Sequence, residues 1–558
     1  MKIVIAQQNY HIGNLKKNTQ KIIEAVKDAK SQNADLIVFS EMSICGYPAR
    51  DFLYFTDFID QCGDCINEIK EYADTIGIIV GAPARNPAYE GKDLFNSAFF
   101  LDEKKIKSVV HKTCLPTYDV FDENRYFEPA YSWNVIEFKG KRIALTICED
   151  IWNLGDNPLY RVCPMDVLMQ QEPHLMINIS ASPFDYTHAE DRKATIKENV
   201  LKYKLPLIYC NSVGSQTEIV FDGASLAFGK DANLYCQLPQ FEEKSKVITL
   251  KEDGTFDCPV TEPAEIISNE LLEPKAFVPD LNISQVYGAI VLGLKDYFQK
   301  MGFTQAIIGS SGGIDSAVTI ALACAALGKD NVHAILMPSP YSTSHSVNDA
   351  EKLSNHLKNP YSTIPIKGIY EEFLKALQPA FKDLPFNVAE ENIQARTRGT
   401  LLMGIANKFG YILLNTSNKS ELAVGYGTLY GDMAGGLSVL GDCYKMQVYE
   451  LAKYINIREE IIPSNIINKE PSAELRPDQK DSDSLPPYQI LDRILYQYIE
   501  RSQSGNEIKS QGFDGNLVDR ILKMVNKNEY KRNQFCPIIR ISPKAFGSGR
   551  RMPIVGSY

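Results

Sequence analysis

Three ionisable side chains stand at the ends of apolar, strand-like runs: Glu41, Lys112 and Cys148. Together they could make a nucleophile set. A thiol needs a base to take its proton and a cation to stabilise its thiolate or a developing oxyanion, roles open to Glu41 and Lys112. The run 143–148 drives Cys148 out of an apolar strand into Glu149 and Asp150. Taken singly, each has a plainer role, since a cysteine in an apolar strand fills core and a lone glutamate or lysine is a solvated charge.

A different chemistry is written at 304–316. Ala306, Ile307 and Ile308 form a short apolar run, and Gly309, Gly312 and Gly313 let the backbone turn tightly toward an anion. Ile314 then opens a helix whose N-terminus, with the hydroxyls of Ser310, Ser311 and Ser316, suits a phosphate. A Walker A loop would need GxxxxGK[ST], and that lysine is absent. An ordinary strand-to-helix turn is the alternative. Further on, Thr416, Glu421 and Asp432 lie in a glycine-rich stretch after an apolar strand, which suits a second ligand face with oxygen ligands for Mg²⁺, or else a tight connection. Arg396 and Arg398, two apart, diverge around a helix, so one can reach a phosphate while the other makes a structural pair.

The elements that must position these groups read as α/β. Strands are expected at 2–7, 34–40, 76–82, 95–101, 133–138, 142–148, 174–179, 206–211 and 224–229, and helices at 15–30, 57–74 and 187–203. A polar stretch over 241–280 reads as a linker. Beyond it, a helix at 284–300 leads into the glycine loop, a strand follows at 331–338, and a helix at 346–358 begins with Ser346 as cap and Asp349 three residues on. Such alternation predicts a doubly wound parallel sheet, with ligands at the carboxyl ends of its strands.

At 558 residues, 44% of them hydrophobic, the chain can bury more than one core, because single cores stop growing at about 250–300 residues. Its charge, 59 minus 69, is −10, which speaks against nucleic acid as the main partner. No apolar run of about 18 residues is present and the N-terminus enters a strand directly, so a cytoplasmic protein without a membrane partner is expected. The 12 cysteines are scattered, as reduced thiols are, and the sole CxxC, Cys62 to Cys65, lacks a second pair or a histidine set.

Two families share these patterns. The segments around Glu41, Lys112, Cys148 and 178–183 resemble the nitrilase, or carbon–nitrogen hydrolase, family, whose Glu-Lys-Cys triad follows this chain order. The resemblance implies an α-β-β-α sandwich over 1–240, with Cys148 attacking an amide, Glu41 as base then acid, and Lys112 stabilising the tetrahedral intermediate. It places Glu123 as a second, supporting glutamate, and Tyr118, Glu149, Trp152 and Ser182 around the substrate. SGGIDS at 311–316 is similar to the signature of the ATP pyrophosphatases, which cleave ATP between its α and β phosphates to adenylate a substrate.

The stretches 415–428, 431–437, 471–483 and 540–547 sharpen this to the glutamine-dependent NAD⁺ synthetase family. That resemblance implies a Rossmann-like ATP pyrophosphatase domain over 281–558, fed with ammonia from glutamine through a shielded tunnel. ATP contacts would come from 309–316 (Gly309 to Ser316, with Ser311, Gly313, Ile314 and Asp315 among them), Arg396, Thr416 and Lys445. Deamido-NAD⁺ would meet Asn392, Glu421, Asp432 and Lys544, and Asp315 with Glu421 would hold Mg²⁺. A homo-oligomer is implied as well. Other glutamine-fed pyrophosphatases, such as GMP or asparagine synthetases, resemble different amidase domains. A tRNA-modifying pyrophosphatase would call for a basic aromatic stripe, and a non-catalytic scaffold would not keep both residue sets.

Overall fold

The computed structural model describes residues 1–258, 278 and 281–556, apart from 89, 156, 157, 383 and 478. The chain divides into two units, Met1–Ile266 and Ile267–Tyr558.

The first unit runs through β1 (Lys2–Gln7), β2 (Leu36–Val38), β3 (Gly77–Arg85), β4 (Leu94–Asp102), β5 (Lys105–His111), β6 (Ile136–Phe138), β7 (Lys141–Ile147), β8 (Leu175–Ser180) and β9 (Leu207–Asn211). A hairpin of β10 (Val213–Gln216) and β11 (Ile219–Asp222) follows, then β12 (Leu226–Phe228), β13 (Leu234–Gln237), β14 (Lys244–Leu250) and β15 (Phe256–Asp257). Two sheets result, ordered β15-β14-β1-β2-β3-β4-β5 and β13-β12-β9-β8-β7-β6. Alternate residues face inward: Ile3, Ile5 and Val38 of one sheet share a buried core with Leu145, Ile147 and Ile177 of the other. The intervening residues Val4, Ala6 and Ile37 pack on the helices Leu15–Ser31 and Thr56–Lys70, and Ala144, Met176 and Leu207 on the helix His188–Tyr203. The layers are therefore α-β-β-α. Because both faces are covered, the central strands read as continuous apolar runs rather than alternating ones.

The stretch expected to begin a linker behaves differently. Residues 244–250 form β14, paired antiparallel with β1 from Lys2↔Thr249 to Gln7↔Lys244. Ile248 and Leu250 point into the core while Lys244 and Ser245 face solvent, so a strand wet along much of its length carries the polarity that sequence presents as linker. Residues 259–277, 279 and 280, also in that span, lie outside the described residues.

In the second unit the helix Ile283–Met301 precedes β16 (Ala306–Gly309), and the helix Ile314–Leu327 follows it. β17 (Val332–Leu336), β18 (Tyr361–Thr363), β19 (Ile412–Asn415) and β20 (Leu437–Ser438) complete a sheet ordered β18-β17-β16-β19-β20, parallel throughout. The chain steps outward from β16 to β18 and then returns to the far side of β16. The carboxyl ends of β16 and β19 thus flank the topological switch point, where such sheets bind ligands. The glycine loop leaves β16 there.

The helix after β17 starts earlier than expected. It spans Ser344–Leu357 and is capped by Thr343, whose hydroxyl accepts from Ser346 N–H at 3.2 Å. Ser346 sits inside the first turn and donates instead to Glu474, and Asp349 accepts from Asn465. Glu390 and Glu391 form the first turn of the helix Val388–Phe409, which is capped by Asn387. Among the described residues no helix is long and apolar enough to cross a membrane.

Candidate active sites

In the first unit, Glu41 follows β2, Lys112 follows β5 and Cys148 follows β7, and all three are buried. Lys112 Nζ donates to Glu41 Oε1 at 2.8 Å and to Glu123 Oε1 at 2.7 Å. Asn96 on β4 donates to Glu41 Oε1 at 2.7 Å and Glu123 Oε2 at 3.3 Å, and Ala181 N–H donates to Glu41 Oε2 at 2.8 Å. The Tyr47 hydroxyl completes the set by donating to Glu123 at 2.8 Å. Both glutamates are thereby fixed in orientation. Gly81 of β3 makes room for this, since a Cβ there would lie 2.4 Å from Met42 N.

Burial works against the Lys112 charge, but Glu123 and Glu41 outweigh it and hold the ammonium protonated well above its usual range. Glu123 is pushed up to about 7 by burial, partly offset by Lys112, because two carboxylates share one cation. Cys148 adopts φ +46, a left-handed turn between β7 and a 3₁₀ turn, a conformation that costs a non-glycine residue about 1–3 kcal/mol. Burial and the Glu41 charge push its thiol up, so the resting sulfur is protonated and needs a base at the moment of attack. Asp150 ties this turn to the lysine segment by accepting from the N–H groups of Thr113, Cys114 and Ile147 at 3.0, 2.8 and 3.1 Å.

Beside the cysteine, the Glu149 carboxylate accepts from the hydroxyls of Tyr118 at 3.0 Å and Tyr160 at 3.2 Å. Trp152 stacks on His188 at 4.8 Å, and Ser182 Oγ is 3.0 Å from His188 Nε2. Replacing Lys112 by Met leaves two buried carboxylates without their cation. The expected result is loss of any chemistry at Cys148 and destabilisation of about 3–5 kcal/mol, read by urea denaturation.

In the second unit, a cavity of about 310 Å³ lies at the switch point, lined by Gly309 to Ser311, Gly313 to Ser316, Thr416, Glu421, Asp432 and Lys445. Gly312 stands at φ +76, and a Cβ there would lie 2.1 Å from the Ser346 carbonyl oxygen. Gly312→Ala should therefore displace the loop and weaken the binding of a phosphate-bearing ligand there at least tenfold, as titration of the variant beside the parent would show. Ser310 Oγ is buried and without a protein partner. Lys445 Nζ donates to Asp315 and, at 3.3 Å, to Glu421, while Asn418 Nδ2 holds the other Asp315 oxygen at 2.9 Å. Burial, then the Asp315 charge, pushes Glu421 up to about 8. One ammonium does not balance this half-buried acidic pair.

Matches to known proteins follow the same division. Residues 2–253 match the carbon–nitrogen hydrolase family and residues 286–535 the NAD synthase family. A glutamine-dependent NAD(+) synthetase of Synechocystis sp. is 42% identical, over 100% of this chain and 99% of its own length. The chain belongs to the glutamine-dependent NAD(+) synthetase family. The Acinetobacter baylyi member is 40% identical over 100% of this chain and 98% of its own. A solved Acinetobacter baumannii member, in complex with ADP, superposes with a TM-score of 0.77 at 36% identity, covering 99% of this chain and 98% of that one.

Within this NAD(+) synthetase chain the structure separates residues that spacing left together. Arg396 is exposed and donates to the Leu429 carbonyl at 3.2 Å, outside the cavity lining, whereas Arg398 donates to the Met337 carbonyl at 3.1 Å and lines the cavity. Asp432 accepts from Thr428 N–H at 2.6 Å and is pushed up to about 6 by burial. Asn392 accepts from the Thr428 hydroxyl at 2.6 Å and lies outside the lining, and the Lys544 carbonyl accepts from Lys419 at 3.0 Å. Asn96, Tyr47, Ala181 and Tyr160 escaped the sequence reading. Their only signal is proximity to triad motifs, because neutral groups that orient a carboxylate carry no distinctive spacing.

Proposed function

We propose that the synthetase amidates deamido-NAD⁺ to NAD⁺ with nitrogen from glutamine, consuming ATP to AMP and pyrophosphate. The observation that carries this reading is that one chain holds both a buried Glu–Lys–Cys set and a phosphate-type glycine loop at the switch point of a parallel sheet.

In the first unit, Cys148 Sγ attacks the side-chain amide carbon of glutamine as Glu41 takes the thiol proton. The tetrahedral oxyanion forms beside the Lys112 ammonium, which costs no reorganisation because its two carboxylates already fix it. Glu41 returns the proton to the departing nitrogen, releasing ammonia and leaving a thioester. Water, deprotonated by Glu41, frees glutamate. Glu149, with Tyr118 and Tyr160, supplies a negative charge suited to the α-ammonium of glutamine, and Ser182 and Trp152 complete that pocket.

In the second unit, the ATP phosphates lie along 309–316, where glycine N–H groups and the helix N-terminus favour negative charge. The half-buried Asp315–Glu421 pair, short of positive charge, fits Mg²⁺, whose chemistry when bound would be to neutralise the departing pyrophosphate. The nicotinate carboxylate attacks the α-phosphate, giving a mixed anhydride with AMP, because a free carboxylate is a poor electrophile. Ammonia then displaces AMP. Arg398 takes the phosphate role first open to Arg396, with Thr416 and Lys445 near the nucleotide and Asn392, Asp432 and Lys544 on the deamido-NAD⁺ side.

Ammonium, the dominant form at neutral pH, is no nucleophile, so transfer is read as shielded. Large excess glutamine hydrolysis per NAD⁺ under saturating substrates would count against that. Cytoplasmic placement, supported by 12 cysteines none of which is in a disulfide, and homo-oligomeric assembly, supported by the exposed Leu384, Val388 and Phe409, belong to the same reading. The direct test gives the purified protein ATP, Mg²⁺, glutamine and deamido-NAD⁺ and identifies products. NAD⁺, AMP and pyrophosphate are expected, and ADP would contradict it.

A further inference from the structure

Glu421 and Lys445, which face Asp315 across the cavity, are carried by two short helical segments, Lys419–Val424 and Lys445–Ile455. The first is capped by its own Asn418, whose side-chain oxygen accepts from Glu421 N–H at 3.0 Å. The first N–H groups of the second helix, those of Lys445 and Met446, have no partner within the helix and must be satisfied. They are satisfied from elsewhere. Lys445 N–H donates to Ser420 Oγ at 2.9 Å, Ser420 Oγ donates to Asp492 Oδ1 at 2.5 Å, and Met446 N–H donates to Asp492 Oδ2 at 2.9 Å. Asp492, on the helix Tyr488–Ile499, is fully buried, as is Ser420.

We infer that Asp492 is a positioning residue for the synthetase reaction, its single carboxylate capping the Lys445 helix from outside and holding it against the segment that presents Glu421. Each oxygen serves one element. Ser420 precedes Glu421 by one residue, and Met446 follows Lys445 by one, so a shift at Asp492 reaches both cavity side chains through one peptide unit. A carboxylate suits the place because it accepts from both sides and sits at a helix N-terminus, where negative charge is favourable. An amide of the same shape accepts at one atom only and turns N–H toward a donor. Lys419 supports the same layer, pairing with Asp442 at 2.8 Å and donating to Glu500 at 2.7 Å and Ser542 at 2.8 Å, while Asp492 is the group that accepts from the first turn of the Lys445 helix.

The inference rests on the proposed role of Asp315, Glu421 and Lys445 in handling Mg²⁺ and phosphate. Asp492→Asn is assayed with ammonium as nitrogen source, beside the parent, with glutamine hydrolysis as the control for an intact first unit. The expected result is a kcat at least tenfold lower and a Mg²⁺ concentration for half-maximal rate several-fold higher, with KM for deamido-NAD⁺ within about twofold of the parent. Ser420→Ala, which keeps the cap on Met446, should move both quantities the same way but less. Parent kcat and parent Mg²⁺ dependence in the folded variants would overturn the inference, as would a uniform loss of active enzyme with unchanged Mg²⁺ dependence. If Asp492→Asn yields no soluble protein, Ser420→Ala decides by the same criteria. A parent that makes no NAD⁺ from ammonium would instead overturn the functional reading.

Discussion

Cys148→Ala should abolish NAD⁺ formation from glutamine, by on the order of a thousandfold or more, while ammonium-supported synthesis stays near the parent rate. The split follows from where the side chain sits. Cys148 belongs to a buried set in the first unit, whereas the phosphate loop and the Asp315–Glu421–Lys445 cluster belong to the second. Alanine at that position removes the atom that would bond the amide carbon yet leaves Lys112 bridging Glu41 and Glu123, so the support around it is retained. Parallel assays with glutamine and with ammonium chloride check this. Glutamine use at the parent rate would mean that the thiol is not the nucleophile.

Asp315→Ala has the complementary effect and a broader one. Synthesis from both nitrogen sources should fall on the order of a hundredfold or more, since adenylation precedes either, while glutamate release from glutamine continues. Asp315 is in the first turn of the helix that opens the cavity and is bonded to both Lys445 and Asn418. Its loss leaves Lys445 with Glu421 alone and removes half of the acidic pair. Measuring AMP, pyrophosphate and glutamate in the same reaction separates the two chemistries, and retained AMP formation would refute the assignment.

Much of this arrangement was legible because chemistry and strand ends coincide. Glu41 and Cys148 each terminate a run whose apolar character is dictated by burial between layers, so charge and thiol stand out against it, whereas Lys112 ends β5, a largely exposed strand, and is legible from its motif instead. The glycine loop was legible for a related reason: tight turning before a helix leaves a mark that few other needs impose. Helix phase was harder. Arg396 and Arg398 differ by two positions, and only the packing of Val388–Phe409 against the sheet decides which one faces the cavity. Ser346 and Thr343 are both competent caps, and the choice falls to Thr343 because Ser346 is engaged by Glu474. Strand β14 was lost in polar text because its partner, β1, lies more than two hundred residues away and fixes the pairing from outside. Asn96 and Asp492 act through geometry created by other elements, which no local pattern encodes.

The central claim is that nitrogen released at Cys148 becomes the carboxamide nitrogen of NAD⁺ at the Gly309–Ser316 site. The most direct measurement supplies amide-¹⁵N glutamine, ATP, Mg²⁺ and deamido-NAD⁺ without added ammonium and determines the isotope content of the product. The account predicts NAD⁺ labelled in its carboxamide, with AMP formed one for one. Unlabelled product, or glutamine hydrolysis with no amidation, would contradict it.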